Sequence, residues 1–158
     1  MPSFILKGLA EAQFADLFSL DDRQLAARQI RRLVADSPSG YPCRISLEDA
    51  QPGDEVLLLP YRHQGADSPY RASGPIFVRR GARQAELKAG EVPPYIGKRL
   101  ISVRGYDHGH HIIRAEVCPG AELAPLLEDF FSGPALAYVQ LHNAKWGCYL
   151  CQAERAQL

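Results

Sequence analysis

Residues 100–117 read LISVRGYDHGHHIIRAEV, and this segment gives the clearest indication of the fold class. Apolar and polar residues alternate over 100–106 and again over 111–117, which predicts two strands, each with one buried face. The turn Asp107-His108-Gly109 between them is too short for a helical crossover, so the strands must run antiparallel. We expect this turn to end on a left-handed glycine at Gly109.

An amphipathic helix is predicted after this hairpin. Its apolar residues recur at helical spacing at Leu123, Leu126, Leu127, Phe130 and Phe131. Pro125 is acceptable in a first helical turn, and we expect Gly133 to adopt the left-handed conformation that ends the helix before Pro134.

The rest of the chain predicts a single α+β domain over residues 1–158, with two or three helices packed on an antiparallel sheet. Further strands are predicted at 3–9, 30–36, 55–61, 75–80, 135–141 and 148–153. Short helices are predicted around 14–18 and after Ser19, which is the expected N-cap, with Asp22 as the acidic partner of a capping box. A hydrophobic content of 46% and a charged content of 23% are typical of a packed globular protein.

Charge and cysteine content argue against several classes of partner. Eighteen basic and eighteen acidic residues give a net charge of zero, and nucleic acids and anionic membranes require clustered positive charge. No apolar run approaches the length of a membrane helix, and the N-terminus lacks the apolar core of a secretory signal. With only four cysteines, the sequence favours a reducing, cytoplasmic location.

The connection 63–74 is the first candidate site, because loops of this length in compact domains are often functional. Its polar side chains are His63, Asp67, Ser68, Tyr70, Arg71 and Ser73. His63 can exchange a proton near neutral pH, and Arg71 can bind a carboxylate or phosphate through two parallel hydrogen bonds. The alternative is an ordered surface loop without a ligand.

The segment 142–148 is the second candidate site. His142, Asn143 and Cys148 are the residue types of cysteine-nucleophile chemistry, although such groups must meet in space rather than in sequence. The alternative is a hairpin in which Asn143 shapes the turn, Trp146 shields the core and Cys148 packs.

Two other patterns suggest metal binding, and we assign no metal ligand to either. The cluster 107–111 contains an aspartate and three histidines, but neighbouring histidines in a tight turn rarely converge on one ion. Cys148 and Cys151 form a lone Cys-x-x-Cys pair, and a zinc site requires a second such pair. On a strand these two thiols would point to opposite faces.

Three segments, 41–50, 61–77 and 142–149, resemble a bacterial family catalogued as a domain of unknown function, number 1203. The similarity spans nearly the whole chain. It implies a small stand-alone bacterial protein and brings no activity, cofactor or substrate with it. The sequence also lacks the phosphate-binding, dinucleotide-binding, nucleophile-elbow and zinc-protease motifs.

The leading hypothesis is therefore a pocket for a small polar or anionic molecule, with His63 or His142 as acid or base. The expected lining is His63, Tyr70, Arg71, Ser73, His142 and Asn143. This hypothesis requires the 63–74 loop to meet the 142–148 hairpin. A metal-binding protein and a non-catalytic interaction module are the alternatives; the sequence fixes neither a cofactor nor an oligomeric state.

Overall fold

The computed structural model describes residues 2–157 and shows two five-stranded β-sheets with short helices packed against them. In chain order the strands are β1 (Phe4–Lys7), β2 (Arg31–Val34), β3 (Pro42–Cys43), β4 (Glu48–Asp49), β5 (Glu55–Gln64), β6 (Ala72–Arg79), β7 (Leu100–Tyr106), β8 (Ile112–Pro119), β9 (Tyr138–Asn143) and β10 (Tyr149–Arg155). The α-helices are α1 (Asp22–Ala27), α2 (Pro94–Gly97) and α3 (Leu123–Ser132). Short 3-10 turns cover Glu11–Gln13, Ala15–Ser19 and Gly120–Glu122. The predicted α+β class with antiparallel pairing is confirmed, although the strands form two sheets rather than one.

The first sheet has the order β1-β10-β9-β7-β8, and every pairing in it is antiparallel. Alternate residues of β7, Ile101 and Val103, point to the face that packs against Phe130 of α3. Gly105 permits this close approach, because an added Cβ would lie only 2.6 Å from Leu136 Cδ1. The opposite face of β7 and β9 is polar, and it carries the site described below.

The second sheet has the order β2-β5-β6-β3-β4, in which only the short β3–β6 pairing is parallel. Leu57 and Leu59 of β5 pack with Ile76 and Val78 of β6 against Leu25 of α1. Tyr149, at the start of β10, belongs to the same apolar cluster. A side chain of the first sheet therefore contributes to the core of the second.

Helix α1 begins with a capping box two positions after the expected place. The Asp21 carboxylate accepts a hydrogen bond from Gln24 N at 2.7 Å, and Gln24 Oε1 accepts one from Asp21 N at 2.9 Å. The prediction that Ser19 is the cap was wrong. Ser19 Oγ donates instead to Asp16 O, within the preceding 3-10 turn.

Both glycines expected in the left-handed region adopt other conformations. Gly133 is extended, with φ −79° and ψ 125°. In the β7–β8 turn the positive φ falls on His110, at 63°, and not on Gly109. The Asp107 carboxylate accepts hydrogen bonds from Gly109 N and His111 N, so the carboxylate shapes this turn.

The connection predicted at 63–74 is much shorter in the structure. β5 continues to Gln64 and β6 begins at Ala72, with a bulge between Tyr61 and Gln64, so the loop covers only residues 65–71. His63 and Ser73 therefore lie on strands, and strands hold side chains more rigidly than loops do.

Among residues 2–157, no helix is long and apolar enough to span a membrane.

Candidate functional site

Gln140 of β9 brings His63 and His142 together, although they come from different sheets. His63 Nδ1 lies 3.0 Å from Gln140 Oε1, and His142 Nε2 lies 3.2 Å from the same oxygen. The two imidazole rings meet edge to face with centroids 4.7 Å apart. Residues 140 and 142 share one face of β9 because strand side chains alternate.

The amide orientation of Gln140 determines the tautomer of His63. Gln140 Nε2 donates a hydrogen bond to the His63 carbonyl oxygen at 2.7 Å, so Oε1 is the atom that faces the imidazole. Because Oε1 can only accept, His63 Nδ1 must carry the proton that it donates there. His63 Nε2 is then an unprotonated acceptor, with no hydrogen-bond partner within residues 2–157.

The pKa of His63 is lowered, chiefly because partial burial disfavours the charged imidazolium. The hydrogen bond to Gln140 opposes this shift, and the nearby positive charge of Arg104 adds to it. At neutral pH His63 is therefore a neutral base in a fixed orientation, with its basic nitrogen free.

His142 is fully buried, and burial lowers its pKa to about 3, with further lowering from the charge of Arg104. Its Nδ1 lies 3.1 Å from Gly147 O, so oxygen atoms face both ring nitrogens. A neutral ring has a single N–H and can donate to only one of them. Protonation would satisfy both oxygens, but the cost of burying the charge outweighs this gain.

Arg104 supplies positive charge beside the two histidines. It lies opposite Gln140 in the β7–β9 register and is half-buried. Its Nε donates to Ser102 Oγ at 3.2 Å, and no carboxylate of the described residues forms a salt bridge with it. A guanidinium without an acidic partner has N–H groups available to an anionic ligand.

The stacked ring of Tyr149 completes the wall behind His63. The two rings are nearly parallel, with an interplanar angle of 8° and centroids 5.8 Å apart, and Tyr149 also meets His142 edge to face. A ring of this size shields one face of the His63 imidazole from water. The plane of the base is therefore fixed by packing as well as by its hydrogen bond.

Within residues 2–157, the 65–71 loop has side-chain hydrogen bonds and ring contacts to the β7–β8 hairpin and none to the 142–148 hairpin. Ser68 Oγ donates to His110 O at 2.9 Å, and the Tyr70 ring lies edge to face with His111, at 5.8 Å between centroids. Asp67 and Arg71 are exposed on this loop. Within residues 2–157, no side-chain hydrogen bond or salt bridge joins Arg71 to the histidines. Arg104 occupies the place expected for Arg71.

The remaining predicted residues lie apart from the histidine pair. Ser73 is exposed on β6 and lines a shallow cleft with Pro60 and Pro75. Asn143 Oδ1 accepts hydrogen bonds from Lys145 N at 3.0 Å and Trp146 N at 3.3 Å, so its side chain shapes the turn as expected.

Trp146 does not shield the core, because 84% of its surface is exposed. With Asn143 and Cys148 it lines a cavity of about 520 Å³. Arg44, which is 1% exposed, forms part of the same wall. Trp146 and Cys148, which the alternative interpretation of the hairpin made packing residues, thus border a cavity.

The histidine-rich turn gives no support for a metal site. Over the described part of the chain, residues 2–157, no group of three or more His, Cys, Asp and Glu side chains is placed to hold an ion. His110 Nδ1 instead lies 2.8 Å from Tyr138 Oη, which also accepts from Gln64 Nε2 at 2.7 Å.

Three side chains that matter here were not predicted as functional from the sequence: Arg44, Arg104 and Gln140. Each lies in or beside a strand with an ordinary alternating pattern, and such a pattern does not show which polar residues face another sheet. One signal was present, since Arg104 follows the apolar Val103 and Gln140 lies between the apolar Val139 and Leu141. The position of Arg44 required the tertiary structure.

Comparison with known proteins identifies a family for the chain, and it finds no curated protein or solved structure that is similar. Residues 40–155 match the family model described as protein of unknown function DUF1203. The matched region includes His63, Arg104, Gln140 and His142. No curated protein and no solved structure matched the chain. Because the match covers well over half of its length, the chain belongs to the DUF1203 family.

Proposed function

We propose that this protein binds a small anionic molecule between Arg104 and His63, and that His63 Nε2 accepts a proton from it. One observation carries the proposal: the amide of Gln140 holds two histidines at 3.0 and 3.2 Å, next to an arginine that has no carboxylate partner within residues 2–157. A neutral, oriented base beside an available cation is suited to general base chemistry on an anion.

The two groups have separate roles in this proposal. The Arg104 guanidinium binds a carboxylate or phosphate through charge-assisted hydrogen bonds. His63 then takes a proton from a group on the bound molecule, because its Nε2 is free and its Nδ1–H is already committed to Gln140. A bound anion would also offset the effect of Arg104 on the pKa of His63.

His142 is a positioning residue and not the base. It is fully buried, so a ligand on the surface cannot reach its ring nitrogens. Its contact with Gln140 Oε1 supports the amide orientation that fixes the His63 tautomer. The expectation that either histidine serves as the base therefore narrows to His63.

Titration calorimetry with inorganic phosphate tests anion binding. We expect weak binding that Arg104→Gln weakens by roughly 10-fold, the effect of losing one charge-assisted hydrogen bond. Arg62→Gln is the matched control, because Arg62 is exposed on the same strand as His63. Equal loss of affinity in both variants, or no loss in Arg104→Gln, would overturn the proposal.

A non-catalytic interaction module is the second candidate, and the edge strand β8 supports it. Val117 of β8 lies opposite Ser102, so it shares a face with Leu100, and 61% and 43% of their surfaces are exposed. Exposed apolar residues on an edge strand favour pairing with a second copy of the chain. Light scattering across a concentration series would show a dimer, which Val117→Lys would dissociate.

We also propose a cytoplasmic location. All four cysteines are free, and Cys43, Cys118 and Cys151 are buried, which suits a reducing compartment. Chemical labelling of thiols in intact and lysed cells would test this location.

A further inference from the structure

We propose that Cys148 is a nucleophilic thiol, oriented by a hydrogen bond from Arg44, that attacks small disulfides and electrophiles entering the adjacent cavity. This site is separate from the histidine pair and does not depend on the function proposed above. Arg44 Nη2 donates to Cys148 Sγ at 3.1 Å. Three further observations support the proposal: the buried charge of Arg44, the accessibility of the Cys148 sulfur and the surrounding cavity.

Arg44 is a buried cation that lacks a compensating anion. It is 1% exposed, and its other contacts are two neutral carbonyl groups, Pro42 O at 2.6 Å and Tyr149 O at 2.8 Å. No carboxylate between residues 2 and 157 forms a salt bridge with it. Burying an unpaired charge is costly, so the fold favours an anion beside this guanidinium. The sulfur of Cys148 is the one side-chain atom to which Arg44 donates a hydrogen bond among the described residues, and both residues line the cavity where an anionic reagent can enter.

Cys148 differs from the other three cysteines in access. Its side chain is partly exposed, whereas Cys43, Cys118 and Cys151 are buried. Burial raises the pKa of Cys151 to about 12 and also raises that of Cys118, so these two thiols stay protonated and unreactive. Reaction should therefore be selective for one of the four cysteines in the folded chain.

The cavity of about 520 Å³ gives a small reagent room to reach the sulfur. Its apolar walls are formed by Leu58, Pro75, Phe77 and the exposed Trp146. A flat apolar or aromatic disulfide suits such walls, and the positive charge of Arg44 favours one that is anionic.

His142 cannot serve as the base for this thiol. Its Nδ1 contacts Gly147 O and its Nε2 contacts Gln140 Oε1, so neither ring nitrogen is directed at Cys148. Activation comes from the fixed charge of Arg44. The cysteine-nucleophile chemistry considered for 142–148 therefore depends on a residue about a hundred positions earlier in the chain.

The reaction is thiol–disulfide exchange. The Cys148 thiolate attacks one sulfur of the disulfide, and a new S–S bond forms between them while the original S–S bond breaks. The second sulfur leaves as a thiolate and carries away the electron pair. The products are a mixed disulfide on Cys148 and one free small thiolate, with no other oxidant needed.

The first test measures the rate with 5,5′-dithiobis(2-nitrobenzoic acid) at neutral pH, with mass spectrometry to locate the modified residue. The reference is a synthetic peptide of residues 144–149, which contains Cys148 but not Arg44. Because the positive charge of Arg44 attracts this anionic reagent to the sulfur, we expect the native protein to react roughly 5- to 10-fold faster than the peptide. A rate equal to or below that of the peptide would overturn the proposal.

Variants then test the roles of the two residues. Cys148→Ser should abolish the fast reaction, and Cys118→Ser, the matched control, should leave it unchanged. Arg44→Lys keeps a cation and should retain most of the rate, whereas Arg44→Gln should bring it down to that of the peptide. A folded Arg44→Gln protein, judged by circular dichroism, that reacts as fast as the wild type would refute the role of Arg44. Should Arg44→Gln not fold, the peptide comparison decides.

Discussion

Gln140 holds the candidate site together, because its one side-chain amide serves two imidazoles. Its Oε1 faces His63 Nδ1 and His142 Nε2, and its Nε2 donates to the His63 carbonyl oxygen. The amide therefore fixes both the position and the tautomer of His63. Because Gln140 is only 1% exposed, water does not compete for these hydrogen bonds.

Replacing Gln140 with methionine keeps the side-chain volume and removes every polar contact. We expect Gln140→Met to lower the free energy of unfolding by about 1–3 kcal/mol, because buried polar groups lose their partners. Urea denaturation measures this change. Gln152→Met is the control, since Gln152 lies opposite Gln140 on β10 but is only half-buried and bonds only to Glu154. Equal losses in the two variants would contradict the role of Gln140.

At the scale of elements, the end of β5 and the polar face of β9 form the site, and they belong to different sheets. The bulge between Tyr61 and Gln64 brings His63 and Gln64 over β9, where they contact Gln140 and Tyr138. Bulges redirect side chains in this way. The contact between His63 and Gln140 therefore depends on one irregularity in β5.

A second prediction follows from the close packing of α3 on the first sheet. Gly105→Ala should lower the free energy of unfolding by about 1–3 kcal/mol, because the new methyl group would overlap Leu136 Cδ1 and press on Phe130. Urea denaturation again measures the change. Gly74→Ala on β6 is the control: its methyl group meets no atom within 4 Å, and it should be neutral or slightly stabilising. A neutral Gly105→Ala would show that the helix packs less tightly than described.

The sequence predicted the β7–β8 hairpin, helix α3 and the last hairpin, because each has a clear periodicity and clear turn residues. It placed the end of β5 near Tyr61, since Arg62, His63 and Gln64 are polar and lie at a bulge. Nothing in a strand pattern tells which face meets a second sheet. The proximity of His63 to His142 was therefore only a hypothesis from the sequence. That Gln140 and Arg104 lie beside the two histidines is evident only from the tertiary structure.

For the whole molecule, the buried neutral His142 couples stability to pH. In the unfolded chain its pKa is near 6.5, whereas burial in the folded state lowers it to about 3. As the pH falls from about 6.5 towards 3, the unfolded state therefore gains a proton that the folded state does not bind. Stability decreases over this window and is unaffected above it.

The expected size of this effect at about pH 5.5 is about 1.4 kcal/mol, relative to about pH 7.5. Urea denaturation at the two pH values gives the free energy of unfolding that each protein loses on acidification. We expect this loss to be smaller in His142→Asn than in the wild type by the amount given above, whatever the stability of the variant at neutral pH. If the wild type and the variant lose the same free energy, His142 is not buried in its neutral form.

The protonation pattern of the His63 imidazole, observed by long-range ¹H–¹⁵N NMR correlation at neutral pH, tests the proposed base and the anion site together. We predict a neutral ring with the proton on Nδ1, an unprotonated Nε2, and a change at Nε2 when inorganic phosphate is added. A proton on Nε2, or a ring unaffected by phosphate, would contradict this prediction.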